Sequence, residues 1–343
     1  MTAQATRVGE LLPPSRLHPA VLAWAAKRRK ADVWCVAFSG GSDSLALLLL
    51  LWAQHPERRR RLVALHFNHR LRGRESDADE KFCRTVCAAL GVRLRVRQWK
   101  RGDRTLRPTA GHNARPTVSE AEARTARQEF FAKEMKRLGS RALWQAHQQD
   151  DIAESMLMRL ARGSGIGGLA APRPVQATAD GRMHLRPLLT LKKAELATVL
   201  KKAGAQWRED SSNARGTYFR NRVRQAVVAP WAHAAGRDAL AGAAWSRELL
   251  EEDEMALESW VDALAPLGRN RQLILGALAG KPRAIVRRSL HRWLLAREQP
   301  TELSRQGFAV LLAAVERGKP TRFSLGPRGF AVIRAGKLSF KTR

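Results

Sequence analysis

Cysteine is scarce in this sequence. Its three thiols, Cys35, Cys83 and Cys87, form no Cys-x-x-Cys pair and leave an odd count, which argues against a disulfide framework and a zinc finger. Cys83 and Cys87 stand at i, i+4, the spacing of side chains packed on one helical face. Long apolar runs are also missing. The longest, LALLLLLWA at residues 45–53, falls well short of the roughly 20 residues that a spanning helix needs. The N-terminal HPAVLAWAAKRRK has a short apolar part with its basic cluster on the wrong side for a secretory signal. A reducing, cytoplasmic compartment is therefore expected. Acidic side chains are few, with 31 Asp plus Glu against 62 Lys plus Arg and a formal charge of +31. So large an excess opposes compaction by self-repulsion. It favours a polyanionic partner, nucleic acid before anionic membrane, over a merely arginine-rich solvated surface.

What is present alternates in period. Strand-like DVWCVAF (32–38) precedes a small-residue loop and a helical run through about Trp52. LVALHF (62–67), VRLRVRQW (92–99) and RALWQAH (141–147) read as further strands, with helices over 75–90, 119–138 and 150–162. Ser119 and Glu122 make a capping box at the start of the second of these helices. Strands alternating with helices predict an α/β fold, a doubly wound parallel sheet whose ligands sit at the carboxyl ends of the strands. Beyond about residue 230 helices dominate, over 235–262, 287–299 and 304–317, before short strands separated by Gly and Pro. From Arg317 onward there are eight basic residues and no acidic one. The expected organisation is an N-terminal extension (1–25), an α/β domain (26–228) and a smaller helical domain with a terminal β-hairpin (229–343). No internal repeat is visible.

The segment SGGSDS follows the first strand and opens a helix. Gly40 and Gly41 let backbone N–H groups converge, and the helix adds the positive end of its dipole. Ser39, Ser42 and Ser44 contribute hydroxyls. Asp43 is out of place beside phosphates unless it holds Mg²⁺ or positions a reactant. The GxxxxGK(S/T) loop of kinases and GTPases is absent. GSGIGG (163–168) has the spacing of a dinucleotide fingerprint, but it follows a helix rather than a strand; a helix cap and mobile loop is the better reading.

A second constellation lies in HQQDDIAES. On a helix over 150–162, Ile152, Met156, Leu157 and Leu160 form an apolar side, while Asp150, Asp151, Glu154 and Arg162 share the opposite one. Three carboxylates at a strand end can hold Mg²⁺, bind an ammonium group or take a proton from an amine. They can also be an acidic first turn favoured by the helix dipole. His147 at the strand end could touch nucleotide or substrate. In YFRNRVR, Arg220, Arg222 and Arg224 flank Asn221 and Val223, and guanidinium groups suit phosphates and unpaired bases; an exposed basic helix start would look the same.

SGGSDS resembles the pyrophosphate loop of the ATP pyrophosphatases, which split ATP between its α and β phosphates to adenylate a substrate. Together with HQQDDIAES, RLARGSGIGGLA, LRPLL (185–189) and REDSSNARGTYFRNRVR (208–224), it makes residues 30–230 similar to the tRNA(Ile)-lysidine synthases. The resemblance implies ligation of free L-lysine to C2 of the wobble cytidine of a CAU-anticodon isoleucine tRNA, through an adenylated cytidine. ATP and Mg²⁺ would be required, and association as a homodimer is compatible with it. Residues 39–44 would cradle pyrophosphate, with Asp43 assisting the metal. Asp150, Asp151 and Glu154 would hold the lysine and supply the base. Arg124 and Arg127, in EARTARQ, match an ARxxRY element facing the nucleotide, with Gln128 in place of its tyrosine. His69 and Arg72 match an Asp-His-x-Leu-Arg element in which Asn68 replaces the aspartate. Arg220, Asn221, Arg222 and Arg224 would contact tRNA, with the basic terminal hairpin as a further grip. Two alternatives remain at this level: a thiolase of the same superfamily, disfavoured by the lack of a Cys pair, and a non-catalytic RNA-binding protein on the same scaffold.

Overall fold

A computed structural model describes residues 1–70, 73–99, 120–209, 219–268, 270–296, 303–327 and 329–342. The chain divides into two compact units, Met1–Leu249 and Leu250–Arg343. The first opens with helices α1 (Thr2–Leu11) and α2 (Pro19–Ala26). It continues with β1 (Trp34–Ala37), α3 (Ser42–Gln54), β2 (Leu62–Asn68), α4 (Arg74–Leu90) and β3 (Arg93–Gln98). Next come α5 (Glu120–Arg137), β4 (Ala142–Trp144), α6 (Gln149–Leu160), the single turn α7 (Ile166–Leu169), β5 (Val175–Ala177), β6 (Met183–Leu185) and α8 (Lys193–Lys202). Two short helices, α9 (Phe219–Val223) and α10 (Ala229–Ala234), flank a π-helical turn, and α11 (Ala239–Leu264) follows.

The sheet order is β3-β2-β1-β4-β6-β5, parallel throughout except for β5. From β1 the chain moves outward to β2 and β3, then returns to β4 on the other side of β1. The β1–β4 boundary is thus the topological switch point, where loops leaving the carboxyl ends diverge and open a crevice. Residues 38–41 and 145–148 supply those two loops.

Side chains of period two build two cores. Trp34, Val36, Leu62, Ala64, Ala142 and Trp144 face helices α1, α2, α3, α4 and α8. Cys35, Val63, Leu65 and Leu143 face Phe130, Phe131 and Met135 of α5. The leucine run fills α3, where Leu45 and Leu47 to Leu51 are all buried, so the helix is apolar on every side. Helix α1 crosses it closely: a Cβ on Gly9 would approach that of Ala53 to 2.8 Å. Residues 1–25 therefore share the main core through Ala5, Val8, Leu12 and Val21. All three cysteines are buried. Burial pushes the Cys35 thiol up to about 11 and that of Cys87 up to about 12.

In the second unit, α12 (Arg283–Leu295) and α13 (Arg305–Arg317) pack on an antiparallel sheet. Its strands are β7 (Leu273–Ile274), β8 (Thr321–Ser324), β9 (Gly329–Arg334) and β10 (Lys337–Thr342), in the order β7-β10-β9-β8. Leu290, Trp293, Leu311, Ile333 and Leu338 form its centre. The expected terminal hairpin is β9–β10, extended by a strand on each side. Among the described residues no helix is long and apolar enough to cross a membrane.

Three expectations need correction. The strand expected over 141–147 ends at Trp144, because Gln145 bonds to Leu185 O and the chain then turns into the α6 cap. GSGIGG is not wholly loop: after Gly163 (φ 68°) the chain forms α7. Leu160, expected on the packed side of α6, is 56% exposed, while Ala153 is buried in its stead. The reason is that α6 packs through its first two turns and leaves its end outside.

Candidate active site

The first loop of the crevice ties its own backbone: the Ser39 N–H donates to Ser44 Oγ (3.2 Å) and the Gly41 N–H to Ser39 Oγ (3.4 Å), and three carbonyls are also engaged. Phe38 O accepts from His66 Nδ1 (2.9 Å), Gly40 O from the Arg208 N–H (3.0 Å) and Gly41 O from Ser44 Oγ (3.0 Å). Ser39 and Ser44 hydroxyls lie 3.0 Å apart, and Ser42 Oγ donates to Asp43 Oδ1 at 3.1 Å. Helix α3 starts at Ser42 with Gly41 as its cap residue and no capping side chain. The N–H groups of its first turn, which have no partner inside the helix, are the kind of donors that bind a phosphate. Gly40 has φ 91°, and a Cβ there would stand 3.2 Å from Phe82 and 3.3 Å from Cys83. Any side chain there would be strained and crowded. Arg208 straps it from outside, bonded through Nε to Asp79 of α4 at 2.9 Å.

The second loop starts α6 with a capping box. Gln148 Oε1 accepts from Asp150 N–H (2.6 Å), and Asp151 Oδ2 accepts from Gln148 N–H (3.0 Å). This aims Asp151 back toward the strand ends. Burial raises the Asp43 carboxyl above its ordinary value; the negative charge of Asp151 adds to this, and Lys193, Ser42 and Gln148 oppose it. The acidic residue of the glycine loop and that of the acidic helix thus feel one another across the switch point.

Asp151 and Glu154 are held by two arginines of the α9 segment. Arg220 reaches Asp151 Oδ1 (2.5 Å) through Nη2 and Glu154 Oε2 (2.6 Å) through Nε, while Arg224 Nε reaches Glu154 Oε1 at 2.5 Å. Glu154 has no solvent exposure. A carboxylate so buried stays charged only with such partners. Arg220 and Arg224 share a face because they are i, i+4, whereas Arg222 is exposed, its guanidinium 5.8 Å from the Phe219 ring. Asn221 is buried. Asp150 goes elsewhere: its Oδ2 accepts the Lys193 N–H (3.1 Å) at the start of α8.

His147 accepts through Nδ1 from Arg186 Nε at 3.0 Å. Burial, then the charges of Arg186, Arg220, Arg127 and Arg124, holds its pKa well below the ordinary value. Arg124 and Arg127, exposed on α5, therefore face the same crevice from the opposite side of the sheet. His69 packs its ring 4.6 Å from Phe67 and 5.7 Å from Trp99. Asn68, 2% exposed, donates to Asp77 (3.2 Å) and Glu80 (3.0 Å). Burial would raise Glu80, but hydrogen bonds from Asn68, Gln98 and Arg84 pull it down to about 2. An aspartate at 68 could not serve that pair of carboxylates. Arg72, Ser119, the loop 101–118 and residues 210–218 lie outside the described residues.

A model described as a PP-loop domain matches residues 16–230. The chain belongs to the PP-loop family. Among its PP-loop relatives, the tRNA(Ile)-lysidine synthase of Geobacter sulfurreducens is 38% identical over 68% of this chain and 47% of its own length. That of Bacillus subtilis is 31% identical over 88% of this chain and 63% of its own. This chain thus spans about half to two thirds of the curated relatives it matches. In fold it is similar to the U34-tRNA thiolase NcsA from Methanococcus maripaludis, with TM-score 0.51 and 17% identity over 72% of this chain and 78% of that one.

The sequence motifs brought Asp43, Asp151, Glu154, Arg124, Arg127 and Arg220 to one PP-loop crevice. Sequence reasoning missed Arg208, Gln148 and Arg186 as working residues. Each stood inside a quoted motif, and only its position in that motif could have drawn attention to it.

Proposed function

We propose that this chain joins free L-lysine to C2 of the wobble cytidine of a CAU-anticodon isoleucine tRNA, producing lysidine, AMP and pyrophosphate. The observation that carries this reading is the pairing of a phosphate-type loop with a buried acidic pair across β1–β4, Asp43 lying within electrostatic reach of Asp151. A similarity to lysidine synthases over most of the chain supports it.

In the first step the cytidine O2 attacks the α-phosphate, and pyrophosphate leaves into the amides of Ser42 to Ser44. In the second, the lysine ε-amine attacks C2 and the C2–O2 bond breaks, releasing AMP. The amine must give up a proton, and Asp151 or Glu154 takes it. The bonds from Arg220 and Arg224 support a pocket suited to cations; a lysine ammonium would replace one of those hydrogen bonds on entering. Asp150, tied to α8, orients the helix. Among the described residues no group of three or more His, Cys, Asp or Glu is close enough to hold a metal. Mg²⁺ would arrive on nucleotide phosphates and need only one or two carboxylates, here Asp43. The ion would neutralise charge on the phosphates.

The net charge of +31 and the exposed Arg222 suit tRNA, and such a reaction belongs in the cytoplasm. A sulfur-transfer reading has no support in three buried thiols with raised pKa values. Incubation with the tRNA, ATP, Mg²⁺ and labelled lysine tests the reading: lysine enters the tRNA with one AMP each. Tight tRNA binding without lysine entry would refute it.

A further inference from the structure

His147 sits where the acidic helix meets the strand ends, yet the reaction as drawn gives it no task. Its environment narrows the task sharply. A guanidinium has donors and no acceptor, so the Arg186 Nε to His147 Nδ1 bond (3.0 Å) requires a lone pair on Nδ1. The ring proton must then sit on Nε2. Arg186 cannot turn away, being 7% exposed and bonded through Nη1 to Arg173 O at 2.6 Å. Among the described residues, Nε2 has no hydrogen-bond partner. A ring in this state has nothing with which to take a proton: one nitrogen is engaged and the other is already protonated. It can only donate.

The charges around the ring say what it donates to. Arg186 approaches from the end of β6, Arg220 from α9, and Arg124 and Arg127 from α5. A neutral N–H among four guanidinium groups attracts an anion and repels the lysine cation. In the ligase reading the amides at the start of α3 already serve one phosphate group. We propose that His147 donates its Nε2–H to a phosphoryl oxygen of the adenylate being transferred, and that Arg186 is the positioning residue that keeps the proton on Nε2. The proposal rests on the ligase reading. It divides the crevice into a pyrophosphate end at residues 39–44, an adenylate end at His147, and a cation pocket at Asp151 and Glu154. No proton moves through His147; charge building on the transferred phosphoryl group meets a donor already in place. The depressed pKa of the ring agrees with this, since the ring keeps the same protonation state across the neutral range.

Two measurements test the idea on the full chain. In ¹⁵N-histidine-labelled protein, the His147 resonances, assigned by their loss in His147→Gln, report the tautomer without any assay. The expected form is neutral with the proton on Nε2, shifting toward a mixture in Arg186→Met. In single-turnover adenylation of the tRNA, His147→Ala should lose roughly 100-fold in rate with the KM for ATP changed only a few-fold. His147→Gln, whose amide N–H falls near the place of Nε2, should keep a tenth of the rate or more. A proton found on Nδ1 of the wild-type ring overturns the proposal. So does a His147→Ala rate within threefold of wild type, or a Gln variant as slow as the Ala variant. Wild-type protein that makes no AMP fails the ligase reading and removes the role with it. That failure is distinguishable, because the Nε2 tautomer would still be observed.

Discussion

Arg224 donates through Nε to Oε1 of Glu154 at 2.5 Å, and the carboxylate it meets has no contact with solvent. The other oxygen of Glu154 is taken by Arg220, four residues earlier on the same face. A segment rich in arginine thus turns two of them inward onto the acidic helix and one, Arg222, outward. The inward pair occupies both oxygens of Glu154, and it fixes α9 against α6 within the first unit. It also sets the terms for any cation that enters, which must offer hydrogen bonds as good as those of a guanidinium.

Removing Arg224 leaves one oxygen of the buried Glu154 without its partner, while Arg220 still holds the other. Arg224→Met should destabilise the protein by about 1–3 kcal/mol, read from urea denaturation at pH 7. The double variant Arg224→Met with Glu154→Gln should recover part of that loss, because it removes the carboxylate left half-paired while Arg220 keeps Asp151. A loss below about 1 kcal/mol for the single change would mean that the Arg224 bond contributes no more than a solvent-exposed pair.

Asp43 stands alone as the acidic member of a phosphate-type loop. Asp43→Asn preserves shape and removes charge. AMP formation should fall by at least roughly 100-fold, while tRNA affinity, measured by filter binding, stays within a few-fold. Near-normal AMP formation would show that the loop works without a carboxylate.

The proposed cation pocket predicts a split between substrates. Asp151→Asn and Glu154→Gln should raise the KM for lysine at least tenfold more than the KM for ATP. Equal effects on both would place the lysine somewhere other than these two carboxylates. Because Glu154 is buried, each variant needs a check of its folded fraction by denaturation.

Asn68→Asp tests the network at the end of β2. The new carboxylate would face Asp77 and Glu80 and remove the donor from both. At pH 7 the expected cost is roughly 2–3 kcal/mol. The sign with pH follows from both groups. Glu80, depressed from 4.5 to about 2 in the folded protein, contributes stability above pH 4.5 that is lost as pH falls toward 2. The new aspartate, raised by its neighbours, costs stability only while charged. The gap between variant and parent should therefore be full at neutral pH and close as pH falls through the carboxylate range. A gap that widened in acid would contradict the geometry.

Much of this was legible in the residues, for identifiable reasons. The leucine run of α3 and the period-two strands β1 and β2 signalled themselves because burial there is complete, and SGGSDS because a side chain at Gly40 would strain its turn. Strands β5 and β6 were not expected: three residues each are too few for a period to register. The inward turn of Arg220 and Arg224 was hidden for another cause. Charge in a sequence says nothing of its partner, and theirs lies some 70 positions earlier. The bond from Arg186 to His147 spans 39 positions. Helix α8 went unremarked, although its first N–H is what holds Asp150 away from the pair it was expected to join.

The central claim is α–β cleavage of ATP over the β1–α3 junction, with the adenylate passing to tRNA before lysine arrives. Its most direct test withholds lysine. With α-³²P ATP, Mg²⁺ and the isoleucine tRNA, label should accumulate on the tRNA while γ-³²P ATP yields labelled pyrophosphate. A chase of unlabelled lysine should then release the tRNA-bound label as AMP. Label that never reaches the tRNA, or ADP formed in place of pyrophosphate, would contradict the claim.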